Sequence, residues 1–406
     1  MRASTAFKRM LGIPGVRVLG HQVLPDRMLV FLELVARRPR CSKCGTPAKA
    51  SYDRRRRRRW RHLDCFGRPT YLVADLRRLH CARCGKVRTE AVPFAAPGAR
   101  HSRAFCNAVV WSVIYMDKAA VAKLWRIAWE SVDAIVARAV DGPRAPSRLR
   151  AIGVDERSWG RRRALTVVVD HDSGAVIWAA PGTGGATLEE FFAWVGPEVC
   201  AGIELVSMDM DNAYVGAVRR SLPGARICFD PFHVVRAANE AVEKMRLVVS
   251  RQIGFDRRTS RRLRYVLVKS SRSLSPDERA ALSTLARHRG ELMAAWTLKE
   301  ELADLYRAVP PEAASDYLSG WLARAQASGI PAIVRLARMV GSHFDGIVAA
   351  VEHGLSNSRL EGFNNKIALI NRRGYGHRNL GAFLKTVYLC CGGAARPPSP
   401  WGTSAA

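Results

Sequence analysis

Ala151-Ile-Gly-Val-Asp155-Glu156 is a short apolar run that ends in an acid, and it has the character of a buried strand. Residues 203–209 repeat the pattern and end at Asp209, and both runs have the length and apolar content of buried strands. A tight-turn signal separates two further apolar runs, residues 164–170 and 175–180, and predicts a hairpin. Together with a short run over residues 226–229, these segments predict a sheet with acids at the ends of two strands.

The remainder of the chain has a helical pattern, and a third acid follows it. Glu361 opens the stretch Glu361-Gly-Phe-Asn-Asn-Lys366, which lies far downstream of Asp209 in a segment crowded with Asn, Arg and Lys. Pro310-Pro marks a break between two of the preceding helices. Helical spacing of apolar residues predicts helices over residues 188–195, 234–253, 276–288 and 291–306.

Three carboxylates, Asp155, Asp209 and Glu361, fit the requirements of phosphoryl transfer on a nucleic acid. That chemistry needs acids that hold two divalent ions about 3.5–4 Å apart. A sheet that pairs the first strand with a later one brings the two aspartates side by side, and a following helix adds the glutamate. The residues alone leave rivals open: Glu156 for Asp155, Asp211 for Asp209, and Glu352 or Asp345 for Glu361.

The net charge points to a polyanionic partner. Lys and Arg total 65 against 35 Asp and Glu, for a formal charge of +30 on 406 residues. Such a chain repels itself and gains by releasing counterions from phosphates. The alternative, a solvated basic surface from a GC-rich genome, explains the arginines but not the shortage of acids. No apolar run reaches the roughly 18 residues of a membrane span, and the N-terminus lacks the long apolar core of a signal peptide, so we expect a cytoplasmic protein without a membrane partner.

Two Cys-x-x-Cys-Gly knuckles, at Cys41/Cys44 and Cys81/Cys84, predict a zinc site. Each knuckle is a tight turn that points two thiolates at one ion, and two knuckles supply the four ligands of a tetrahedral structural site. The segment between them is long enough for a hairpin, and residues 71–79 have strand character. Four unrelated buried thiols, or ligation by His62 or Cys65, are the alternatives.

A run of arginines lies between the knuckles and predicts phosphate binding, although a solvated charge run is the alternative. The tryptophan that follows the run either stacks on a base or packs inside the protein. The predicted DNA-binding residues of this segment are Arg54, Arg55, Arg56, Arg57, Arg58, Arg59 and Trp60.

Residues 118–124 and 129–140, joined by a short turn, have the pattern of a helix-turn-helix. Glu130 and Asp133 place acid near the face that would contact bases, which argues against strong base readout. The predicted core of this element consists of Val121, Leu124, Ile127, Val132, Ile135 and Val136.

A series of motifs that resemble those of one known family covers nearly the whole chain in order, so the resemblance is specific. Besides the two knuckles, they are Ile152-Gly-Val-Asp155-Glu, Val206-Ser-Met-Asp209-Met, Asp230-Pro-Phe-His233, Ser356-Asn-Ser-Arg-Leu-Glu361-Gly-Phe-Asn-Asn-Lys366 and Arg372-Arg-Gly-Tyr375-Gly-His-Arg378. With these segments the sequence resembles an insertion-sequence transposase of the IS-L-three (ISL3) family, within the DDE, ribonuclease-H-like superfamily.

The resemblance implies an α/β ribonuclease-H-like core in which Asp155, Asp209 and Glu361 are catalytic and bind magnesium or manganese. It implies cleavage and strand transfer at the inverted-repeat ends of the element and into target DNA, by a homodimer or higher assembly associated with the bacterial nucleoid. His233 is an auxiliary candidate that either orients the scissile strand or is a core histidine. The residues that would line the DNA groove beside the metals are Asn357, Arg359, Asn364, Asn365, Lys366, Arg372, Arg373 and Arg378.

The predicted domains follow the same order along the chain. A zinc-binding module occupies residues 1–100, a helix-turn-helix 101–145, the catalytic core 150–233 and 355–390, an all-α insertion 234–354, and a disordered tail 391–406. Two other functions stay open: a catalytically inactive regulator that keeps only DNA binding, and a metal-dependent nuclease that cuts without joining.

Overall fold

The computed structural model describes residues 3–140, 145–160, 163–254, 256–288, 290–377 and 379–393, with residues 397, 399 and 400. The chain divides into two compact units, one ending at residue 141 and one spanning residues 142–393. Most of the predicted disordered tail lies outside the described residues. Among the described residues, no helix is long and apolar enough to cross a bilayer.

The first unit combines a sheet with a bundle of short helices. Its sheet has the order β1-β2-β4-β3, with β5 paired to β4. The β3–β4 hairpin fills the segment between the two cysteine knuckles, as predicted. The elements are α1 (Ala3–Leu11), β1 (Val16–Val23), β2 (Met28–Leu34), β3 (Asp53–Cys65), β4 (Arg68–Cys81), β5 (Lys86–Thr89), α2 (Arg103–Tyr115), α3 (Lys118–Trp125) and α4 (Trp129–Val140).

Helices α3 and α4 form the predicted helix-turn-helix, and the turn between them follows from local chemistry. Asp117 caps α3 by accepting hydrogen bonds from two backbone N–H groups, and Arg126 ends it in the left-handed conformation. The predicted core is confirmed at Val121, Val132, Ile135 and Val136, which are buried, and Ile127 is half-buried. Leu124 was wrongly placed in that core, since it is 46% exposed. Trp125 occupies the buried position instead, and its indole N–H donates to Ser112.

The second unit is built on a five-stranded sheet in the order β10-β9-β6-β7-β8. Strand β7 runs antiparallel to β6 and β8, whereas β6, β9 and β10 are mutually parallel. The five predicted strands are all present. They are β6 (Ala151–Gly160), β7 (Arg163–Asp170), β8 (Ala175–Pro181), β9 (Leu205–Met208) and β10 (Arg226–Phe229).

Helices surround this sheet and fill the long interval before Glu361. Their apolar faces and those of the strands share one core, centred on side chains such as Phe191, Val206 and Trp321. The domain boundaries drawn from the sequence stay predictions. The helices are α5 (Gly185–Val195), α6 (Pro197–Cys200), α7 (Asn212–Ser221), α8 (Pro231–Ile253), α9 (Arg257–Val268), α10 (Pro276–His288), α11 (Gly290–Asp304), α12 (Ala314–Ala327), α13 (Pro331–Ser342), α14 (Phe344–Glu352), α15 (Ser358–Arg373) and α16 (Leu380–Cys391).

Candidate active site and DNA-binding surface

The pairing of β6 with β9 places Asp155 and Asp209 side by side. Gly153 on β6 lies opposite Ser207 on β9 in a parallel ladder. Each aspartate follows two residues later, so both side chains leave the same face of the sheet on strands about 4.8 Å apart. Asp209 comes directly after the last residue of β9, at the edge where a buried strand opens to solvent.

Both aspartates have raised pKa values. Burial is the main cause at Asp155, and the charge of Asp209 adds to it. Burial again dominates at Asp209, with a further contribution from the charge of Asp211. A cation between the two carboxylates would offset both effects, and carboxylate oxygens are the ligands that hard divalent ions prefer. The aspartate pair therefore fits a magnesium or manganese ion.

Glu361 lies in the first turn of α15, which packs on β6 through Leu360. The Glu361 side chain is exposed, whereas Leu360 is 1% exposed and reaches Gly153. Among the described residues, the only group of three or more ligating side chains with all ligand atoms within 4.8 Å consists of cysteines. The three predicted acids do not close to that distance. The structure places Glu361 on a helix that packs against β6 but does not complete a ligand set with the aspartate pair.

Asp230 is a further acid at this site that the sequence reasoning missed. It follows β10, is 6% exposed, and accepts a hydrogen bond from the backbone N–H of Asn357 at 3.2 Å. Burial raises its pKa, while the nearby charge of Glu361 raises it further and that of His233 lowers it. The signal was present in the sequence, because Asp230 ends an apolar strand in the same way as Asp209.

His233, the auxiliary candidate, lies among these acids. It is half-buried in the first turn of α8, and its charge lowers the pKa of Asp155, of Asp209 and of Asp230. A histidine within reach of three acids is placed to balance their charge. Its role in the reaction stays a prediction.

Helix α15 presents some of the predicted DNA-binding side chains to solvent and buries others. Asn365, Lys366 and Arg372 are exposed, whereas Asn357 and Asn364 are 5% and 8% exposed. The two buried asparagines bond inside the protein, so the prediction that they contact DNA directly is wrong.

The remaining predicted side chains of this segment differ in their surroundings. Arg359 is exposed but donates to the backbone oxygen of His171 at 2.5 Å, and Arg373 is half-buried. Arg378 lies outside the described residues. Tyr375 was quoted in a motif without a role, yet it is 99% exposed with a left-handed φ of 50°. A bulky residue held there makes Tyr375 a new candidate for DNA contact.

The four knuckle cysteines form a compact quartet in the first unit. The sulfurs of Cys44 and Cys81 are 3.4 Å apart and those of Cys41 and Cys84 are 3.9 Å apart. Sulfurs around a tetrahedral zinc, with bonds of about 2.3 Å, lie roughly 3.8 Å from one another. Gly45 and Gly85 follow the knuckles with φ of 74° and 63°, the left-handed turn that the Cys-x-x-Cys-Gly pattern requires.

The thiols of the quartet differ in pKa because they share hydrogen bonds with one another and with Thr46. A hydrogen bond with Thr46 lowers the pKa of Cys44 to about 6, which favours the thiolate. A hydrogen bond with Cys44 raises the pKa of Cys84 to about 12. The alternative ligands are excluded by geometry, since His62 bonds Ser102 at 2.8 Å and Cys65 is not part of the cluster.

The arginine run forms the first half of β3, and most of its side chains face solvent. Arg54–Arg57 and Arg59 are exposed, while Arg58 is half-buried and donates to the backbone oxygen of Ala99 at 3.1 Å. Trp60 is 1% exposed and packs against Phe94, so the prediction that it binds DNA is wrong. The alternation of side chains along a strand puts Trp60 in the core.

These arginines share a cleft with the helix-turn-helix. The cleft, of about 770 Å³, is bordered on one side by Arg55–Arg59 and on the other by Ile127 and Ser131, next to the start of α4. The two walls are held together, because Arg126 forms an ion pair with Asp64 and also donates to Gly67 O at 3.4 Å. A recognition helix contacts bases through its N-terminal residues, and here the start of α4 lies in the same groove as the arginines.

Comparisons with known proteins agree with this arrangement. Residues 152–387 match the family model described as a transposase, residues 37–84 the zinc-finger of the transposases of IS204, IS1001, IS1096 and IS1165, and residues 90–140 the helix-turn-helix domain of transposase family ISL3. The transposase for insertion sequence element IS1557 of Mycobacterium tuberculosis is 37% identical over 391 residues, covering 89% of this chain and 87% of the relative.

The transposase for insertion sequence element IS1001 of Bordetella parapertussis is 29% identical over 381 residues, covering 92% of this chain and 94% of the relative. The zinc ribbon, with its cysteine quartet, supports zinc as a ligand, and the ribbon and helix-turn-helix together indicate DNA as a partner. Matches in three consecutive regions lead to a single conclusion: the chain is a DNA transposase that belongs to the ISL3 family.

Proposed function

We propose that this transposase binds the terminal inverted repeats of its own insertion sequence and catalyses metal-dependent strand cleavage and strand transfer there. The observation that carries the proposal is the placement of Asp155 and Asp209 on one face of adjacent parallel strands. Their raised pKa values support a role in binding divalent cations, because the buried pair is stabilised by added positive charge.

The topology of the sheet supports a ribonuclease-H-like core. Across the sheet the strand order is β8-β7-β6-β9-β10, so the first three strands of the unit are followed by the fourth and fifth. Only β7, the second strand, runs antiparallel to the others. That order sets the first and fourth strands side by side, and these are the strands that carry the two aspartates. The helices between β10 and α15 then form an insertion within the core.

Asp155, Asp209 and Glu361 would hold the metal ions, with the exposed Glu361 side chain turning toward the aspartates to complete the set. When bound, two divalent ions supply a lowered pKa for an attacking water and charge neutralisation at the leaving oxygen. The acids fix where the scissile phosphate lies. His233 balances their charge, the exposed Lys366 and Arg372 neutralise neighbouring phosphates, and the exposed Asn365 donates a hydrogen bond to them. A freed 3′-hydroxyl then attacks a phosphodiester of target DNA at the same acids, which forms a new phosphodiester bond and releases the 3′-hydroxyl of the cut target strand.

End binding is assigned to the first unit, where the arginine strand and the helix-turn-helix share a groove. Arginines on β3 grip phosphates without regard to sequence, and α4 supplies base contacts. Because two element ends must be cut and joined together, we expect a homodimer or higher assembly on DNA.

The test is strand cleavage of a duplex that carries an element end, with Asp155→Ala and Asp209→Ala. Both variants are expected to lose cleavage while they bind the end with parental affinity. Glu156→Ala is the matched control. The Glu156 side chain lies on the opposite face of β6, so this variant should cut the duplex normally. Cleavage by both aspartate variants would overturn the assignment.

Two other outcomes separate the alternatives. An inactive DNA-binding regulator would bind the end and leave it intact under every metal condition. A nuclease would cut but yield no joined product in a strand-transfer reaction with target DNA.

A further inference from the structure

Helix α15 and the residue before it carry asparagines at seven-residue spacing, Asn357, Asn364 and Asn371, which lie on one face because seven residues make nearly two helical turns. All three point at strand β6. The amide nitrogens donate to the backbone oxygen of Val154 at 3.1 Å, to the carboxylate of Asp155 at 2.6 Å and to the backbone oxygen of Trp159 at 2.9 Å. We call these residues the asparagine ladder.

The asparagine ladder is poorly designed for stability alone. The Oδ1 atoms of Asn364 and Asn371 are buried, and neither has a hydrogen-bond partner within the described parts of the chain. An unpaired buried acceptor is unfavourable, and an apolar side chain of similar shape would avoid that penalty. The amides at these positions therefore serve something other than tight packing.

The top of the ladder ties α15 to β9 as well. Asn357 accepts a hydrogen bond from the hydroxyl of Ser207 at 2.5 Å, and Ser207 bonds the ring of His171 at 2.7 Å. Both strands that carry the aspartates are thus joined to the residue at which α15 begins. This connection leaves the helix little freedom to slide along the sheet.

The central contact bears on the chemistry. Glu156 N–H bonds one oxygen of the Asp155 carboxylate at 2.7 Å and Asn364 bonds the other, so the rotation of that carboxylate is fixed. Each oxygen keeps a second lone pair for a cation. Glu361 precedes Asn364 by three positions, which makes the two side chains neighbours on the helix surface. A helix docked through Asn364 therefore brings Glu361 toward Asp155.

We propose that Asn364 is a positioning residue that orients Asp155 for metal binding and sets the height of α15 so that Glu361 faces the aspartate pair. This inference rests on the proposed function, since it assigns the asparagine a task at the proposed metal site. Residues that hold a metal ligand by hydrogen bonds typically change metal affinity about 10–100-fold when they are replaced.

The test measures the affinity for Mn²⁺ by isothermal titration calorimetry, on the zinc-loaded, full-length protein in the absence of DNA. Asn364→Leu keeps the shape of the side chain and removes both the donor and the unpaired oxygen. We expect Mn²⁺ to bind about 10–100-fold more weakly, with the melting temperature of the zinc-loaded protein without Mn²⁺ unchanged. Leu369→Ala, at an exposed position of the same helix, is the control and should bind Mn²⁺ with parental affinity.

Asp155→Ala separates failure of this inference from failure of the proposed function. If Asp155→Ala loses Mn²⁺ and Asn364→Leu retains it within twofold, the inference is wrong and the metal site stands. If Asp155→Ala also binds Mn²⁺ with parental affinity, the proposed metal site and the inference both fail. Should Asn364→Leu melt at a lower temperature, Asn364→Ala repeats the measurement without the bulk of leucine, and parental affinity there rejects the inference.

Discussion

Replacing Gly153 with alanine should disturb the active site through a single methyl group. A Cβ at this position would lie 2.4 Å from Cδ1 of Leu360, 2.8 Å from Nε2 of His171 and 3.1 Å from Oγ of Ser207. Leu360 belongs to α15 and is 1% exposed, so it has little free space into which it can turn. The added carbon therefore acts on the contact between β6 and the helix that carries Glu361.

The size of the effect follows from these distances. Ordinary carbon contacts are about 3.5–4 Å, so Leu360 must retreat by about 1 Å. Overpacking of this kind costs about 1–3 kcal/mol. At about 2–4 °C per kcal/mol for a domain of this size, a cost of about 2 kcal/mol lowers the melting temperature by roughly 4–8 °C. A displacement of about 1 Å at reacting groups slows catalysis on the order of 100-fold.

The measurements are thermal unfolding and cleavage of an end-containing duplex, both on the zinc-loaded protein. Gly362→Ala is the matched control for stability. Gly362 lies in the same helix as Leu360, and a Cβ atom added there would meet open space. That change should raise the melting temperature, since alanine is favoured over glycine in a helix by about 1 kcal/mol. Parental melting and parental cleavage for Gly153→Ala would refute the reasoning.

Three further predictions concern the first unit. Cys84→Ser removes one of the four sulfurs of the quartet, so the zinc content measured by metal analysis should fall and end binding should be lost. Full zinc occupancy in this variant would contradict the prediction. The double variant Arg56→Ala/Arg59→Ala should reduce the slope of the logarithm of the end-binding constant against the logarithm of salt concentration by about 1.8. Arg27→Ala is the control, because Arg27 is already paired with Asp26, and its slope should stay near the parental value. Burial lowers the pKa of His62 to about 4 from an ordinary 6.5, so the unfolded chain binds more protons below pH 6.5. Stability should be complete above pH 6.5 and fall by up to about 3 kcal/mol as the pH drops toward 4; a His62→Gln variant with the same pH dependence in urea unfolding would contradict this.

The sequence predicted the elements well because their signals are local. The apolar runs that end at Asp155 and Asp209 set the strands, and the knuckle spacing set the quartet. Burial of single polar or aromatic side chains was harder to predict. Trp60 and Asn364 were assigned to DNA, yet both face the interior, because the phase of a strand or helix against its neighbour depends on tertiary packing.

The site itself could be predicted only as a set of acids. Which strand pairs with which is a long-range property, so the sequence could not show that Gly153 lies opposite Ser207 or that α15 packs on β6. Asp230 was missed although it ends a strand in the same way as Asp209. The strand before it was predicted, but Asp230 was interpreted only as part of the Asp230-Pro-Phe-His233 motif, in which His233 was the candidate.

The helices between β10 and α15 also fix when the active site can form during synthesis. The hydrogen bond between Asp155 and Asn364 joins residues 209 positions apart, and the sheet strands are complete long before its second partner exists. The roughly 150 residues between Asp209 and Glu361 take about 8–30 s to synthesise at ~5–20 residues per second. During that time the nascent chain already holds its zinc ribbon and helix-turn-helix but lacks Glu361. If the first unit binds DNA as proposed, recognition is available to a growing chain earlier than the ability to cut.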